Sequence, residues 1–284
     1  MNIISFKTYF YKELSEVYPE TEISAFWTLI VEKYLGLDRL NAALYPEKEI
    51  TNTVHIALKK VVARLQQNEP IQYILGETIF FGLPFYVNPT VLIPRPETEE
   101  LVNWILTDIE LAKERKTTHI LDIGTGSGAI AIGLAANLPS ALIDAIDISA
   151  AAIQTAIKNA NLNKVQVSFM EQDILSCDKL TKQYDVIVSN PPYVRNSEKK
   201  QMQANVLNHE PQTALYVTDK NPLLFYKKIG ELAYKNLLDN GLLYVEINEF
   251  LATETAELFE EIGFKTTEVK KDIFGRNRMI KTQK

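Results

Sequence analysis

The chain has little cysteine, little histidine and no long apolar run. Cys177 is the only cysteine among 284 residues, which excludes an internal disulfide and a thiolate zinc cage and fits a reducing compartment. His55, His119 and His209 are scattered without ligand spacing, so we expect no metal site. No uninterrupted apolar stretch approaches the roughly 20 residues that span a bilayer. We therefore expect a soluble, cytoplasmic, monomeric protein with no membrane partner.

Positive charge is also scarce. The 30 lysine and arginine residues are outnumbered by 36 aspartate and glutamate residues, which gives a net charge of −6. This balance does not favour a protein whose main partner is a polyanion, so we expect no direct nucleic-acid substrate. With 46% hydrophobic and 23% charged residues, the composition is that of a globular protein. The length suits a medium domain with a small one.

Hydrophobic spacing divides the chain into three parts. Apolar residues recur at helical intervals near the start, which predicts a small helical domain over 1–72. An aromatic and β-branched stretch broken by glycine and proline predicts a β-hairpin linker over 73–95. Over 96–284, helices alternate with nearly continuous apolar strands, which is typical of a mostly parallel sheet covered on both faces.

The end of the chain carries its own signals. A long helix is predicted from about Leu223 to Leu238, ended by Asn240 and Gly241 and followed by the strand LLYVEI. The last two strands are predicted to form an antiparallel edge pair.

A glycine-rich segment, DIGTGSG, lies between the first predicted strand of the sheet and the next helix. Gly124, Gly126 and Gly128 let the backbone turn sharply and let a ligand approach with no side chain in the way. Asp147 ends the following strand, where a carboxylate can accept both hydroxyls of a ribose. Loop and acid together indicate an adenosine-containing ligand, without separating NAD from S-adenosylmethionine.

The third strand of the predicted sheet also ends in an acid. Asp173 and Ile174 are predicted to lie beside the adenine, with the acid or a backbone group meeting its amine and Ile174 covering a ring face. The alternative for Asp173 is a helix cap.

The segment SNPPY, which follows a predicted buried strand, decides between the cofactors. Its two prolines cannot continue a sheet, and Asn190 falls at the carboxyl end of the strand, where open α/β sheets bind ligands. The Asn190 side-chain oxygen and the Pro191 carbonyl make two acceptors, which with the ring of Tyr193 suit a planar NH₂ group. Holding that nitrogen turns its delocalised lone pair toward a methyl donor, an orientation effect of up to roughly 7 to 11 kcal/mol.

The chain closely resembles the protein-(glutamine-N5) methyltransferases that modify peptide chain release factors. The resemblance covers nearly the full length and is carried by LIPRPETEELV, ILDIGTGSGAIAI, DISAAAI, IVSNPPYV, HEPQTAL and KDIFGRNRMI. NPPY alone is shared with amino-group methyltransferases of DNA and RNA, whereas LIPRPETE and EPQTAL are more specific. The implied fold is α/β, with a Rossmann-like, mostly parallel seven-stranded methyltransferase sheet, an antiparallel edge pair and a helical N-terminal domain that docks the release factor.

The resemblance implies a donor, a substrate and their binding residues. The donor is S-adenosylmethionine, leaving S-adenosylhomocysteine, and the substrate is the glutamine of the Gly-Gly-Gln loop of class 1 release factors, which act in translation termination. The residues implied for the donor are Gly124, Thr125, Gly126, Ser127, Gly128, Asp147, Asp173, Ile174 and Asn190. Those implied for the glutamine are Asn190, Pro191, Pro192 and Tyr193, with Asn190, Pro191 and Tyr193 as the catalytic set. Arg95, Glu97 and Glu210 are implied at the pocket mouth, with loop-fixing salt bridges as the alternative.

Other functions stay open at this point. An amino-group nucleic-acid methyltransferase, acting on N6 of adenine or N2 of guanine, would keep the fold, but the acidic balance argues against it. A non-catalytic nucleotide-binding scaffold is disfavoured by the intact NPPY segment. An NAD oxidoreductase is disfavoured because no hydride-transfer acid or base is evident.

Overall fold

Helices and strands alternate along most of the chain in the computed structural model, which describes residues 1–111 and 118–284. The helices are α1 Ile3–Leu14, α2 Glu20–Leu35, α3 Arg39–Leu44, α4 Asn52–Leu65, α5 Ile71–Leu75, α6 Pro96–Leu111, α7 Ala129–Asn137, α8 Ala150–Asn163, α9 Ala204–His209, α10 Leu224–Asn236 and α11 Ala252–Ile262. The strands are β1 Glu77–Phe80, β2 Leu83–Tyr86, β3 His119–Ile123, β4 Leu142–Asp147, β5 Ser168–Glu171, β6 Tyr184–Ser189, β7 Val194–Arg195, β8 Tyr216–Val217, β9 Leu237–Glu246, β10 Thr266–Lys271 and β11 Asn277–Gln283.

The chain divides into two compact units. The first comprises Met1–Gly76 together with Gln203–His209, and the second comprises Glu77–Met202 and Glu210–Lys284. The predicted helical domain over 1–72 falls in the first unit. Of the linker predicted over 73–95, residues 73–76 fall in the first unit, and the hairpin itself, β1 paired with β2, falls in the second. None of the helices within 1–111 and 118–284 is long and apolar enough to cross a membrane.

The first unit is built around the apolar faces of α1, α2 and α4. Phe6, Phe10 and Leu14 recur every four residues along α1, so they share one face, and that face is fully buried. Trp27 of α2 packs beside them, with its ring 6.3 Å from that of Phe6. At the start of α4, the hydroxyl of Thr51 accepts a hydrogen bond from the Val54 amide and caps the helix.

The second unit contains a seven-stranded sheet in the order β10-β11-β9-β6-β3-β4-β5. Strands β9, β6, β3, β4 and β5 pair parallel with one another, whereas β11 pairs antiparallel with both β9 and β10. Both the mostly parallel sheet and the antiparallel edge pair predicted from the sequence are confirmed. The central strand β6 is buried along its whole length, which explains why its residues 186–188 are consecutive apolar residues without alternation.

Two apolar clusters cover the sheet. One includes Phe80 and Phe85 of the hairpin together with residues of α6 and α7, such as Val102 and Ile132. The other is formed by α10, α11 and the strands they contact, with Phe259 fully buried. The hairpin aromatics therefore belong to the core of the second unit.

The prediction that the helix before β9 runs to Leu238 is wrong, because α10 ends at Asn236 and β9 begins at Leu237. The Asn236 side chain is buried and donates hydrogen bonds to the carbonyls of Leu180 and Lys182, at 3.1 and 2.9 Å. Leu237 is fully buried and pairs with Tyr184 of β6. Two adjacent apolar residues such as Leu237 and Leu238 fit a helix or a strand equally well in the sequence. The pairing of the buried Leu237 with β6 places them in a strand.

Two glycines at and near the start of α7 give a matched test of the fold. Gly128 has φ +83°, and a Cβ there would lie 2.8 Å from Ile132 Cδ1 and 3.1 Å from Ala156 Cβ. Gly128→Ala should therefore lower the free energy of unfolding by about 2 kcal/mol or more, measured by urea denaturation. In Gly133→Ala the nearest atom to the new Cβ is 3.6 Å away, so stability should be unchanged or higher by up to about 1 kcal/mol. A Gly128→Ala protein as stable as the wild type would contradict this account.

Candidate active site

Strand register gathers four polar or glycine positions at the carboxyl edge of the sheet. Ile123 of β3 pairs with Ile146 of β4 and with Ser189 of β6, and Ser189 pairs with Val245 of β9. The next residues along these strands, Gly124, Asp147, Asn190 and Glu246, therefore follow one another across adjacent strands. Ligands of open α/β sheets bind at this edge.

The glycine-rich loop is tied to the end of β4. The amides of Gly124 and Thr125 both donate to the carbonyl of Ile146, at 2.8 and 3.0 Å, and the Gly126 amide donates to Asp147 Oδ2 at 2.8 Å. Gly124 and Gly126 have φ of +74° and +56°, and no atom lies within 4 Å of where their Cβ would be. The loop thus presents bare backbone to open space, as a closely approaching ligand requires.

The second half of the loop is anchored inside the protein. Ser127 is buried, and its carbonyl accepts a hydrogen bond of 2.8 Å from the side chain of Asn159. Asn159 is fully buried in α8 and also exchanges hydrogen bonds with the backbone of Tyr86 in β2. The Gly128 amide closes the turn on the carbonyl of Thr125 at 2.8 Å. One buried amide side chain therefore links the loop, α8 and the hairpin, a role that sequence reasoning missed.

Asp122 lies beneath the loop with no exposed surface. Its Oδ2 accepts a hydrogen bond of 2.6 Å from the Thr125 hydroxyl, whereas its Oδ1 has no hydrogen-bond partner among the residues that the structure describes. Burial raises the pKa of Asp122 to about 7, and the Thr125 hydrogen bond only partly opposes this. Asp122 was quoted in the DIGTGSG segment but not assigned a role from the sequence.

The acids at the end of β4 and shortly after β5 accept hydrogen bonds from backbone amides. Asp147 is partly buried, and its Oδ1 accepts from the Ser149 amide at 2.9 Å while Oδ2 accepts from Gly126. Burial raises the pKa of Asp147. Asp173 Oδ1 accepts from the Leu175 amide at 2.9 Å, which is an Asx turn; residues 174–176 form a turn and not a helix, so the helix-cap alternative is wrong. Ile174 is partly buried against the cluster that α10 and α11 cover. All of these contacts are internal to the protein. The ligand-binding roles of Asp147, Asp173 and Ile174 therefore stay predictions.

The NPPY segment is held from behind by side chains of α6 and β9. Asn190 Nδ2 donates to Thr98 Oγ1 at 3.2 Å, and the Tyr193 hydroxyl donates to Glu246 Oε1 at 2.9 Å. Burial and the adjacent carboxylate of Glu246 raise the pKa of Tyr193 well above its usual value. Pro191 is buried and Pro192 is partly buried. The segment is therefore fixed through its polar side chains, with the Asn190 oxygen left as an acceptor.

Three residues that support this segment were missed by sequence reasoning. Thr98 donates to Glu246 Oε2 at 2.6 Å, and both side chains are buried. Asn248 Nδ2 donates to the Tyr193 carbonyl at 3.1 Å and to Glu198 at 2.9 Å. A signal for Glu246 did exist, since it is an acid at the end of an apolar strand, as Asp147 is. Thr98 lies within LIPRPETEELV but carries no local pattern of its own.

Two of the three residues predicted at the pocket mouth form an ion pair. Arg95 Nη2 lies 2.6 Å from Glu210 Oε1, and the Glu210 side chain is only 1% exposed. Glu210 Oε2 also accepts a hydrogen bond from the Ile93 amide, with 3.4 Å between nitrogen and oxygen. These contacts match the loop-fixing alternative for Arg95 and Glu210. Glu97 lies in the first turn of α6, where an acid is favoured by the helix dipole.

The buried Asp122 predicts a measurable pH dependence of stability. Its pKa is about 7 in the folded protein against an ordinary 3.8, so between these values the folded state keeps a proton that the unfolded chain releases. The free energy of unfolding consequently falls as the pH rises through this window. Asp122→Asn removes this titration. As the pH rises, the free energy of unfolding of the variant relative to that of the wild type should therefore increase by on the order of 1 kcal/mol per pH unit. Urea titrations between about pH 4 and 7 measure this, and a constant difference would contradict the assignment.

The amino-acid sequence is similar to those of known protein families. Residues 106–217 match the family model described as methyltransferase small domain, and residues 8–76 match that described as PrmC N-terminal domain. A release factor glutamine methyltransferase from Flavobacterium psychrophilum is 52% identical over 281 residues, which cover 99% of each chain. Another from Bacteroides thetaiotaomicron is 44% identical over 273 residues, which cover 96% of each chain.

A solved structure shares the fold. A 16S rRNA N2 G1207 methyltransferase from T. Thermophilus, in complex with AdoMet and guanosine, has a TM-score of 0.54 and 18% identity, covering 73% of this chain and 49% of that one. Identity this low shows a common fold alone, so it does not favour the nucleic-acid alternative. The two curated relatives carry the same name at high identity over nearly the full length. The chain belongs to the family of release factor glutamine methyltransferases.

Proposed function

We propose that this protein transfers a methyl group from S-adenosylmethionine to the side-chain amide nitrogen of the glutamine in the Gly-Gly-Gln motif of class 1 release factors, and so acts in translation termination. The observation that carries the proposal is the Asn190 side chain, fixed at the carboxyl edge of the sheet beside the glycine-rich loop. Family membership supports the substrate, since the full-length relatives are named for release factor glutamine methylation.

The chain's own residues fit the donor. The open backbone at Gly124 and Gly126 leaves room for a ligand, and the Asp147 carboxylate stands at the end of β4, where a ribose is bound in such sheets. Beneath the loop, the buried carboxyl of Asp122 holds the Thr125 hydroxyl and so supports the loop conformation. S-adenosylmethionine, when bound, supplies an electrophilic methyl group and leaves as S-adenosylhomocysteine. We propose that the loop residues, Asp147, Asp173, Ile174 and Asn190 hold it.

The catalytic contribution of the protein is orientation. Asn190 Oδ1 and the Pro191 carbonyl accept the two N–H groups of the glutamine amide, so the nitrogen lone pair is directed away from them. The ring of Tyr193 covers the amide, and its position is fixed by Glu246 and Asn248. Positioning of this kind supplies up to roughly 7 to 11 kcal/mol of a barrier, and no strong base is needed before transfer, because the methylated nitrogen becomes acidic. Arg95, Glu97 and Glu210 shape the entrance in this proposal.

We propose that the helical unit docks the release factor. Leu40, Leu44 and Tyr45 are 67%, 61% and 59% exposed on one short stretch. They adjoin a surface cavity of about 500 Å³ lined by Leu37, Leu44, Tyr45, Pro46, Glu47 and Lys48. Large apolar side chains clustered on a surface are typical of protein-binding sites. This cluster is the part of the first unit best suited to a protein partner.

The proposed reaction is tested by incubating the protein with S-adenosylmethionine and a release factor. Mass spectrometry of the Gly-Gly-Gln peptide should show one added methyl group. Asn190→Ala removes an acceptor that aligns the amide, so the rate should fall by more than about 100-fold. Asn196→Ala, which changes an exposed asparagine at the start of the short 3₁₀ helix after β7, serves as the control and should keep the wild-type rate. An unmodified glutamine, or full activity in Asn190→Ala, would overturn the proposal.

Docking is tested separately from chemistry. The double variant Leu40→Ser and Leu44→Ser should raise KM for the intact release factor by about 5-fold or more, because each residue loses apolar contact area. The value of kcat should stay unchanged, since neither residue belongs to the proposed catalytic set. Ile79→Ser, at a 65% exposed position on the hairpin, is the matched control and should leave KM unchanged. Equal KM values for all three proteins would exclude this cluster as the docking surface.

A further inference from the structure

A buried carboxylate lies behind the NPPY segment and holds two hydroxyl groups. Glu246 is 1% exposed at the end of β9, and Thr98 is 4% exposed in α6. Glu246 Oε2 accepts from Thr98 Oγ1 at 2.6 Å, and Oε1 accepts from the Tyr193 hydroxyl at 2.9 Å. Thr98 Oγ1 in turn accepts from Asn190 Nδ2 at 3.2 Å. A continuous chain of hydrogen bonds thus connects Glu246 to Asn190.

The direction of this chain follows from counting protons. An ionised carboxylate has only acceptors, so the single proton of the Thr98 hydroxyl must point to Glu246. The lone pairs of Thr98 Oγ1 are then all that is left for Asn190, and they can pair only with an N–H group. The Asn190 amide has a donor end and an acceptor end of nearly equal size, and this contact selects the donor end for Thr98. The carbonyl oxygen of Asn190 is thereby committed to the opposite side.

The short contact with Thr98 supports the ionised form of Glu246. The 2.6 Å distance to Thr98 is typical of a hydroxyl bound to a carboxylate ion. Burial, with the charge of Glu97, raises the pKa of Glu246, and the Thr98 and Tyr193 hydrogen bonds and the charge of Arg278 partly oppose that rise. Arg278 is itself held by Asp272, with Nε 3.1 Å from Oδ2.

We propose that Glu246, acting through Thr98, is a positioning residue that makes the site select an amide over a carboxylate. The inference rests on the proposed function, in which Asn190 Oδ1 and the Pro191 carbonyl receive the substrate. The NH₂ group of a glutamine donates a hydrogen bond to each of these two acceptors. The carboxylate of a glutamate has no proton to donate, so its oxygens would be repelled by the two acceptor oxygens. Without this series of hydrogen bonds, the side-chain amide of Asn190 is free to turn its N–H groups toward the substrate. The site would then accept a glutamate carboxylate and would misplace the glutamine amide.

The test measures binding selectivity as well as rate. Dissociation constants are measured with S-adenosylhomocysteine present for an intact release factor and for the same factor with glutamate replacing the Gly-Gly-Gln glutamine. Wild type should bind the glutamine form about 10-fold more tightly or better. Thr98→Val removes the hydroxyl but keeps the shape, so the ratio should fall to about 1 to 3, with kcat for the glutamine form also reduced. Glu246→Met frees the Thr98 hydroxyl to turn toward Asn190 and should lower the ratio similarly.

Two controls separate positioning from stability. Thr98→Ser restores the hydroxyl, so it should recover the wild-type ratio. Tyr244→Phe removes another buried hydroxyl bond from β9, that between Tyr244 and Asp108 at 2.6 Å, and should leave the ratio unchanged. If Glu246→Met fails to fold, Thr98→Val decides the outcome.

Two results would overturn the inference. One is a folded Thr98→Val protein with the wild-type ratio, and the other is a wild type that binds both release factors equally. The proposed function is judged independently, by whether the wild type methylates the glutamine form at all. A wild type that methylates it while Thr98→Val keeps full selectivity would leave the function intact and remove only the role of Glu246.

Discussion

Parallel pairing in register is the constraint on which the site depends. Because β3, β4, β6 and β9 run in the same direction, the residues that follow them meet at one edge although they are far apart in the chain. A slip of one residue in any of these strands would turn its buried apolar side chains to the other face. The core that fills both faces therefore holds Gly124, Asp147, Asn190 and Glu246 in place.

Polar groups buried at that edge cost free energy, and the structure treats them differently. Glu246 is compensated by two hydroxyl donors and by the nearby charge of Arg278. Asp122 accepts from one hydroxyl donor, its Oδ1 has no hydrogen-bond partner among the described side chains and backbone, and burial raises its pKa to about 7. Glu246 thus belongs to the frame behind the NPPY segment, and Asp122 belongs to the buried base of the glycine-rich loop.

Much of the second unit could be predicted from the sequence, because its signals are local. Apolar runs of strand length between helices predicted the parallel sheet, and the last strands predicted the antiparallel edge. The end of α10 was mispredicted, since Leu237 and Leu238 satisfy either periodicity and only pairing with β6 places them in β9. From the sequence, Arg95 and Glu210 could either shape the pocket mouth or fix a loop through a salt bridge. The distance of 2.6 Å between their charged groups favours the salt bridge.

The sequence by itself determined which residue types stand at the strand ends, where the glycines break the chain and where the prolines stop β6. These properties belong to neighbouring residues, so a local pattern carries them. The tertiary structure alone decided which side chains hold the NPPY segment. Thr98 lies 92 positions from Asn190 and 148 from Glu246, and nothing local relates them. Their contacts exist because a buried proton donor must find an acceptor in three dimensions, and the packed sheet and α6 provide it.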